Sequence, residues 1–129
     1  MDENDVISAV CAHLETNGYE ISSRCHTSQR GIDVCAKHKD NGKIVLVEAK
    51  GGTSSKLGTN RFGQPYTKSQ VFDRVAKGIF TCMQLRADSL SGTDARVILA
   101  LPNGAWFQEY IASVGSGLSV LNIEVWYAT

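Results

Sequence analysis

Residues 31–50 read GIDVCAKHKDNGKIVLVEAK, and the way this stretch folds decides the architecture of the 129-residue chain. Asn41-Gly42 is among the strongest two-residue hairpin signals, since the favoured turn needs positive φ at both central positions. The flanking runs, Ile32–His38 and Lys43–Lys50, are rich in β-branched residues and read as the two strands. With Asn41-Gly42 as a two-residue loop, Asp40 faces Lys43, Asp33 faces Lys50 and Cys35 faces Glu48. Directly opposed residues share a face, so Asp33, Glu48 and Lys50 project to the same side. Asp33 and Glu48 are then diagonal neighbours about 7–8 Å apart. A four-residue loop centred on the same turn keeps this register; a three-residue loop or a bulge breaks it.

Ile44–Val47 is apolar at every position, which suits a central strand covered on both faces. Glu48 and Lys50 continue that strand, so they emerge where it leaves the core. Charges in such a place are costly to desolvate unless they are paired or bound to metal. Two carboxylates that close can converge on one divalent cation. An Asp33–Lys50 cross-strand ion pair, with Glu48 solvated at the sheet end, satisfies the same pattern.

Outward from the hairpin, the chain reads as one domain. A first helix is predicted over about Glu3–Asn17, with Val6, Ile7, Val10 and Leu14 as its apolar stripe and Gly18 as its stop. Tyr19–Ser23 is a short strand. Residues 51–67 are rich in Gly, Ser, Thr and Asn without apolar period, the composition of a functional or disordered loop. A second helix follows over Lys68–Leu85, capped by Thr67, with the stripe Val71, Phe72, Val75, Ile79 and Met83. Ala95–Leu101 reads as a covered strand. Ala105–Val114 reads as a helix burying Trp106, Phe107, Tyr110 and Ile111, and Leu118–Tyr127 as a last strand. The order αβββαβαβ gives an α/β single domain, a mixed central sheet flanked by helices. The passage from Lys50 to Ala95 implies a right-handed crossover and a parallel strand pair.

Composition narrows the function classes. Val97–Leu101, the longest strongly apolar run, is far too short to span a membrane, and the acidic start is no signal peptide, so a cytoplasmic protein with no membrane partner is expected. Cys11, Cys25, Cys35 and Cys82 lack CxxC spacing and read as reduced thiols. With His13, His26 and His38 they match no usual zinc pattern. The formal net charge of zero argues against coating nucleic acid. It is unevenly spread, though: residues 1–36 carry net −4, residues 37–86 net +7 and residues 87–129 net −3. The basic stretch contains the hairpin and the second helix.

Gly31-Ile32-Asp33, followed after fourteen residues by Glu48-Ala49-Lys50, resembles the signature of the PD-(D/E)xK nucleases, the restriction-endonuclease-like superfamily. Ile32 stands where that signature has Pro. The likeness extends over the preceding helix and the following helix and strand, most of residues 1–101. It implies a restriction-endonuclease-like core and a metal-dependent nuclease. Asp33 and Glu48, with the Ala49 carbonyl, would hold Mg²⁺, or Mn²⁺ in its place. The ion would polarise the scissile phosphate and acidify a water, and Lys50 would orient that water or meet the charge building on phosphorus. Gln70 falls where many relatives place a Gln or Lys facing the active site; Thr67-x-x-Gln70 is also a capping box. Many relatives add an acid from the first helix, for which Glu3, Asp5 and Glu15 are candidates.

Between Lys50 and Lys77 six positive charges meet one negative, Asp73. Lys56, Arg61, Lys68, Arg74 and Lys77 are therefore candidate phosphate contacts, with a solvated basic helix face as the plainer explanation. Phe62 and Tyr66 could stack on bases or pack locally. The expected partner is nucleic acid, DNA before RNA, and the aromatic C-terminal half leaves room for a homodimer. The other function class is a catalytically silent nuclease-like fold serving as a nucleic-acid or protein interaction module.

Overall fold

A computed structural model describes residues 1–24, 32–53, 64–88 and 95–129. The elements follow the expected order: α1 (Glu3–Thr16), β1 (Tyr19–Arg24), β2 (Val34–His38), β3 (Ile44–Ala49), α2 (Lys68–Ala87), β4 (Arg96–Pro102), α3 (Ala105–Val120) and β5 (Ile123–Ala128). The strands form one sheet in the order β1-β2-β3-β4-β5. Its first three strands are antiparallel and its last three parallel, so the chain is a single-domain α/β fold with a mixed sheet. Among the described residues no helix is long and apolar enough to cross a membrane.

Strand side chains alternate between faces, and both faces here are covered. Val34, Ala36, Val45, Val47, Ile98 and Ala100 pack against Val6, Ile7, Val10 and Leu14 of α1. On the other face Leu46, Val97, Leu99 and Leu101 pack beneath α2 and α3. This double cover is why β3 and β4 read as continuous apolar runs. At one end of the α1 face, Arg96 forks onto Glu124 of the neighbouring strand at 2.8 and 2.7 Å and donates to the Tyr19 hydroxyl at 2.9 Å, tying β4, β5 and β1 together.

The hairpin register departs from expectation by two residues: Val34 pairs with Val47, Cys35 with Leu46 and Ala36 with Val45. The loop holds four residues, Lys39 to Gly42, closed by the His38 N–H on the Lys43 carbonyl at 2.9 Å. Asn41 does not take the positive φ that a two-residue turn centred on Asn-Gly requires; only Gly42 does, at +73°. Side chains fix the longer loop instead. Asp40 N–H donates to His38 Nδ1 at 3.1 Å and Lys43 N–H to Asn41 Oδ1 at 2.8 Å. A shift of two preserves the side-chain alternation, so Asp33, Glu48 and Lys50 stay on one face. Their pairing changes: extended by one residue, the ladder sets Asp33 opposite Glu48.

Two helices also differ in detail. Helix α2 buries Val71, Val75, Gly78, Cys82 and Leu85, whereas Phe72 is 53% exposed and Met83 44%. The buried stripe is rotated because Gly78, which carries no apolar signal, is where the helix comes closest to the sheet. Helix α3 continues six residues past Val114, through Gly115 and Gly117, because Leu118 buries on the same side as Phe107 and Ile111. Trp106, expected inside, is 44% exposed, and β5 starts at Ile123 rather than Leu118.

A Cβ added at Gly78 would lie 2.7 Å from Leu99 Cδ1 and 3.4 Å from Lys50 Cγ. Leu99 is fully buried and has nowhere to retreat. We expect Gly78→Val to lower stability by about 1–3 kcal/mol, seen as a lower urea midpoint at unchanged m-value. An unchanged midpoint would contradict the close approach of α2.

Candidate functional site

Asp33 precedes β2 and Glu48 lies near the end of β3, the middle strand of the sheet. Both are buried, at 7% and 6% exposure, and their carboxyls hydrogen-bond to each other. Asp33 Oδ2 also accepts the Ala49 backbone N–H at 2.8 Å. Lys50, one residue past β3, donates its own N–H to the Ala100 carbonyl at 3.0 Å. Its Nζ lies 3.1 Å from Glu48 Oε1, and its stem runs beside Gly78. The cation therefore pairs with Glu48 rather than Asp33, and Glu48 is not solvated. Backbone polar groups of successive strand residues face opposite edges. The Ala49 carbonyl, like its N–H, thus faces the Asp33 side.

Burial is the largest influence on both carboxyls. It pushes Glu48 up, with the charge of Asp33 adding, to about 7. It raises Asp33 as well, against the Ala49 N–H and Lys50, which favour the ionised form. The two carboxyls thus resist joint ionisation, since like charges so close repel. Beneath them the Cys82 thiol is pushed up to about 12, first by burial and then by the Glu48 charge. It is inert.

Glu3, in the first turn of α1, is the acid of that helix that feels this site electrostatically. Its carboxyl is raised, first by burial and then by Asp33, while Lys50 and Arg74 pull the other way. Among the described residues its Oε2 is buried with no hydrogen-bond partner. Asp5 instead accepts the Asp2 N–H at 2.9 Å in a capping box, and Glu15 lies at the far end of the helix. What brings Glu3 in is Gly51. A Cβ there would stand 2.3 Å from Glu3 N, and Gly52 N–H donates to the Met1 carbonyl at 2.9 Å. The Gly51-Gly52 pair directly after Lys50 was the available sequence signal for this contact.

The remaining candidates divide. Gln70 closes the capping box, its Oε1 accepting the Thr67 N–H at 2.9 Å. Arg74 stacks on Tyr66 at 4.9 Å and bears electrostatically on Glu3, so it belongs to the site's rim. Lys77 is exposed one turn further along α2. Lys68 does not share that side. It pairs with Glu109 of α3 at 3.3 Å, at the surface. Lys56, Arg61 and Phe62 lie outside the described residues, as do Cys25, His26 and Gly31. The described ends of the segment carrying Lys56 and Arg61 meet beside Lys50, where Tyr66 N–H donates to the Gly52 carbonyl at 2.9 Å and Thr53 bridges Pro65.

Among the described residues no three His, Cys, Asp or Glu side chains are grouped to hold an ion. Asp33, Glu48 and the Ala49 carbonyl form a smaller hard-oxygen set. That suits Mg²⁺, which keeps several waters and takes only one or two carboxylates from a protein. Neither a family model, a curated protein nor a solved structure matches the chain.

The raised Glu48 carboxyl has a measurable consequence. Glu48 holds a proton in the folded state up to about pH 7, against an ordinary value of 4.5. Its contribution to stability is full below the ordinary value and is lost as pH rises through the folded one. We expect the metal-free protein to lose roughly 2–3 kcal/mol of stability across that window through Glu48. Glu48→Gln should flatten this slope in melts at stepped pH. Equal slopes in both proteins would contradict the assignment.

Proposed function

We propose that the chain is a metal-dependent nuclease that hydrolyses phosphodiester bonds, with DNA as its substrate. The observation that carries the reading is the Asp33–Glu48 carboxyl pair, buried at the end of the central strand with the Lys50 ammonium 3.1 Å from Glu48. For stability alone, burying such groups is a poor arrangement, since well-packed apolar residues serve as well or better. A divalent cation gives both carboxylates a reason to be there.

The fit rests on the donor set. Asp33 and Glu48, supplemented by the Ala49 carbonyl, would hold Mg²⁺, and loading would require both carboxyls to be ionised. When bound, the ion supplies positive charge that polarises a phosphodiester and acidifies an attacking water. The chain's own groups do the placing. The Ala49 N–H fixes one Asp33 oxygen, so this carboxylate cannot swing away. Gly78 and Glu48 hold the Lys50 stem and head. That leaves a fixed ammonium to orient the nucleophile or to meet negative charge as it develops on the phosphoryl oxygens. Glu3, half-buried and with its Oε2 unpartnered among the described residues, is the additional acid proposed to assist.

Arg74 and Lys77 on α2, together with Lys56 and Arg61 in the segment before it, are the proposed phosphate contacts. Local cation clusters of this kind position a backbone without reading its sequence. Gln70 and Lys68 take capping and helix–helix roles first. The likeness of Gly31-Ile32-Asp33 and Glu48-Ala49-Lys50 to the PD-(D/E)xK signature supports the same chemistry.

With Mg²⁺ or Mn²⁺ the purified protein should nick or cut plasmid or branched DNA, and chelation should stop it. Asp33→Ala and Lys50→Ala should each reduce cleavage by at least about a hundredfold. Undiminished cleavage by both variants would refute the assignment. DNA binding without metal-dependent cutting, across a broad substrate panel, would favour an interaction module.

A further inference from the structure

The two edges of the sheet are built differently. At one edge β1 is broken by a bulge at Ser22, where the register with β2 shifts, and bulges blunt an edge against further pairing. At the other edge β5 pairs with β4 in unbroken register from Ile123 to Ala128. It contains no Pro, no bulge and a single charge, Glu124, which Arg96 already grips at 2.7 Å. Among the described residues no strand covers the outer side of β5. An open, straight, weakly charged edge is a template for another strand.

Which backbone groups it offers follows from the ladder. The Asn103 N–H donates to the Ala128 carbonyl at 3.1 Å, so Ala128 turns its polar groups toward β4. Because these alternate along a strand, Ile123, Val125 and Tyr127 turn theirs outward. An incoming strand would also meet apolar surface on both faces of the sheet. Val125 packs on the α2–α3 face, and strand alternation turns the 36% exposed Tyr127 side chain the same way. Trp126 and Ala128 lie on the α1 face, where with Ala9 and His13 they line a cavity of about 410 Å³. The fitting occupant is a strand with apolar side chains in both directions and little charge. β5 itself has that composition.

We propose that β5 is a homodimer interface, in which two copies of the chain join their sheets by antiparallel β5–β5 pairing about a two-fold axis at Val125. A two-fold normal to the sheet keeps each face continuous. Centred on Val125, it matches the outward-facing residues: Val125 opposes Val125 of the second copy, and Ile123 opposes Tyr127. Each such pair exchanges two N–H···O bonds. Glu124 then faces Trp126 of the second copy rather than another Glu124, which avoids opposed like charges. Antiparallel joining sends the Asp33–Glu48 ends of the two copies to opposite ends of the joined sheet. The proposal does not depend on the chemistry of that site.

Sedimentation across a wide dilution series should show a dimer in reversible exchange with monomer. In the wild-type dimer, hydrogen exchange should find the Val125 and Tyr127 amides protected, and dilution to monomer should release them. Val125→Pro deletes an outward N–H without touching the β4 ladder, and should give a monomer with an unchanged far-ultraviolet spectrum. Should that variant fail to fold, exchange in the wild-type chain decides alone. A monomer at the highest concentration would overturn the proposal. So would a dimer whose Val125 and Tyr127 amides exchange as fast as an open edge, which would shift the contact to another face.

Discussion

Two carboxyls share one buried place at the end of the sheet's middle strand, and much of the surrounding structure answers to that constraint. Asp33 cannot be relieved by water, so the Ala49 N–H meets one of its oxygens. Glu48 cannot ionise easily beside it and is pushed up to about 7, while the Lys50 ammonium, 3.1 Å from its Oε1, favours the charged form. Lys50 in turn needs room for its stem, which the missing side chain of Gly78 provides. Gly51 lets the start of α1 close over the same place and delivers Glu3. Remove the carboxyl pair and none of these close approaches has an evident purpose.

The rest of the fold supplies a rigid frame for that pair. β3 is central, hydrogen-bonded on both sides and covered on both faces, so its last residues inherit fixed positions. Sites built on strands hold their geometry more tightly than sites on loops. Asp33 is the exception in kind, lying one residue before β2, and its bond to Ala49 compensates for the missing ladder. Arg74 and Lys77 stand on α2 rather than on the sheet. This suits groups that would track a phosphate backbone and need less exact placement than the proposed metal ligands.

Much of this was legible in the sequence, for reasons that also explain what was not. The element order and the double-faced strands follow from apolar period, which burial enforces. That Asp33, Glu48 and Lys50 share a face survived an error in register, because the error was two residues and alternation repeats every two. The register itself was hidden, since it depends on His38 and Asn41 side chains bonding to the turn backbone. Gly78 misled the reading of α2: a close approach leaves a glycine, not a hydrophobic residue, at the centre of the buried stripe. Lys68 looked like a neighbour of Arg74 only while the partner across the interface, Glu109, was unknown. Glu3 could not be separated from Asp5 by composition, because only the packing of α1 on Gly51 distinguishes them.

On the proposed reading Asp33 and Glu48 are there to hold a divalent cation. Anomalous diffraction from crystals grown with Mn²⁺ addresses it most directly. A single strong peak is expected between the two carboxylates, on the side of the Ala49 carbonyl, and it should vanish in Asp33→Asn crystals. Crystals at full Mn²⁺ occupancy elsewhere, with the Asp33–Glu48 hydrogen bond intact and no peak beside it, would contradict it.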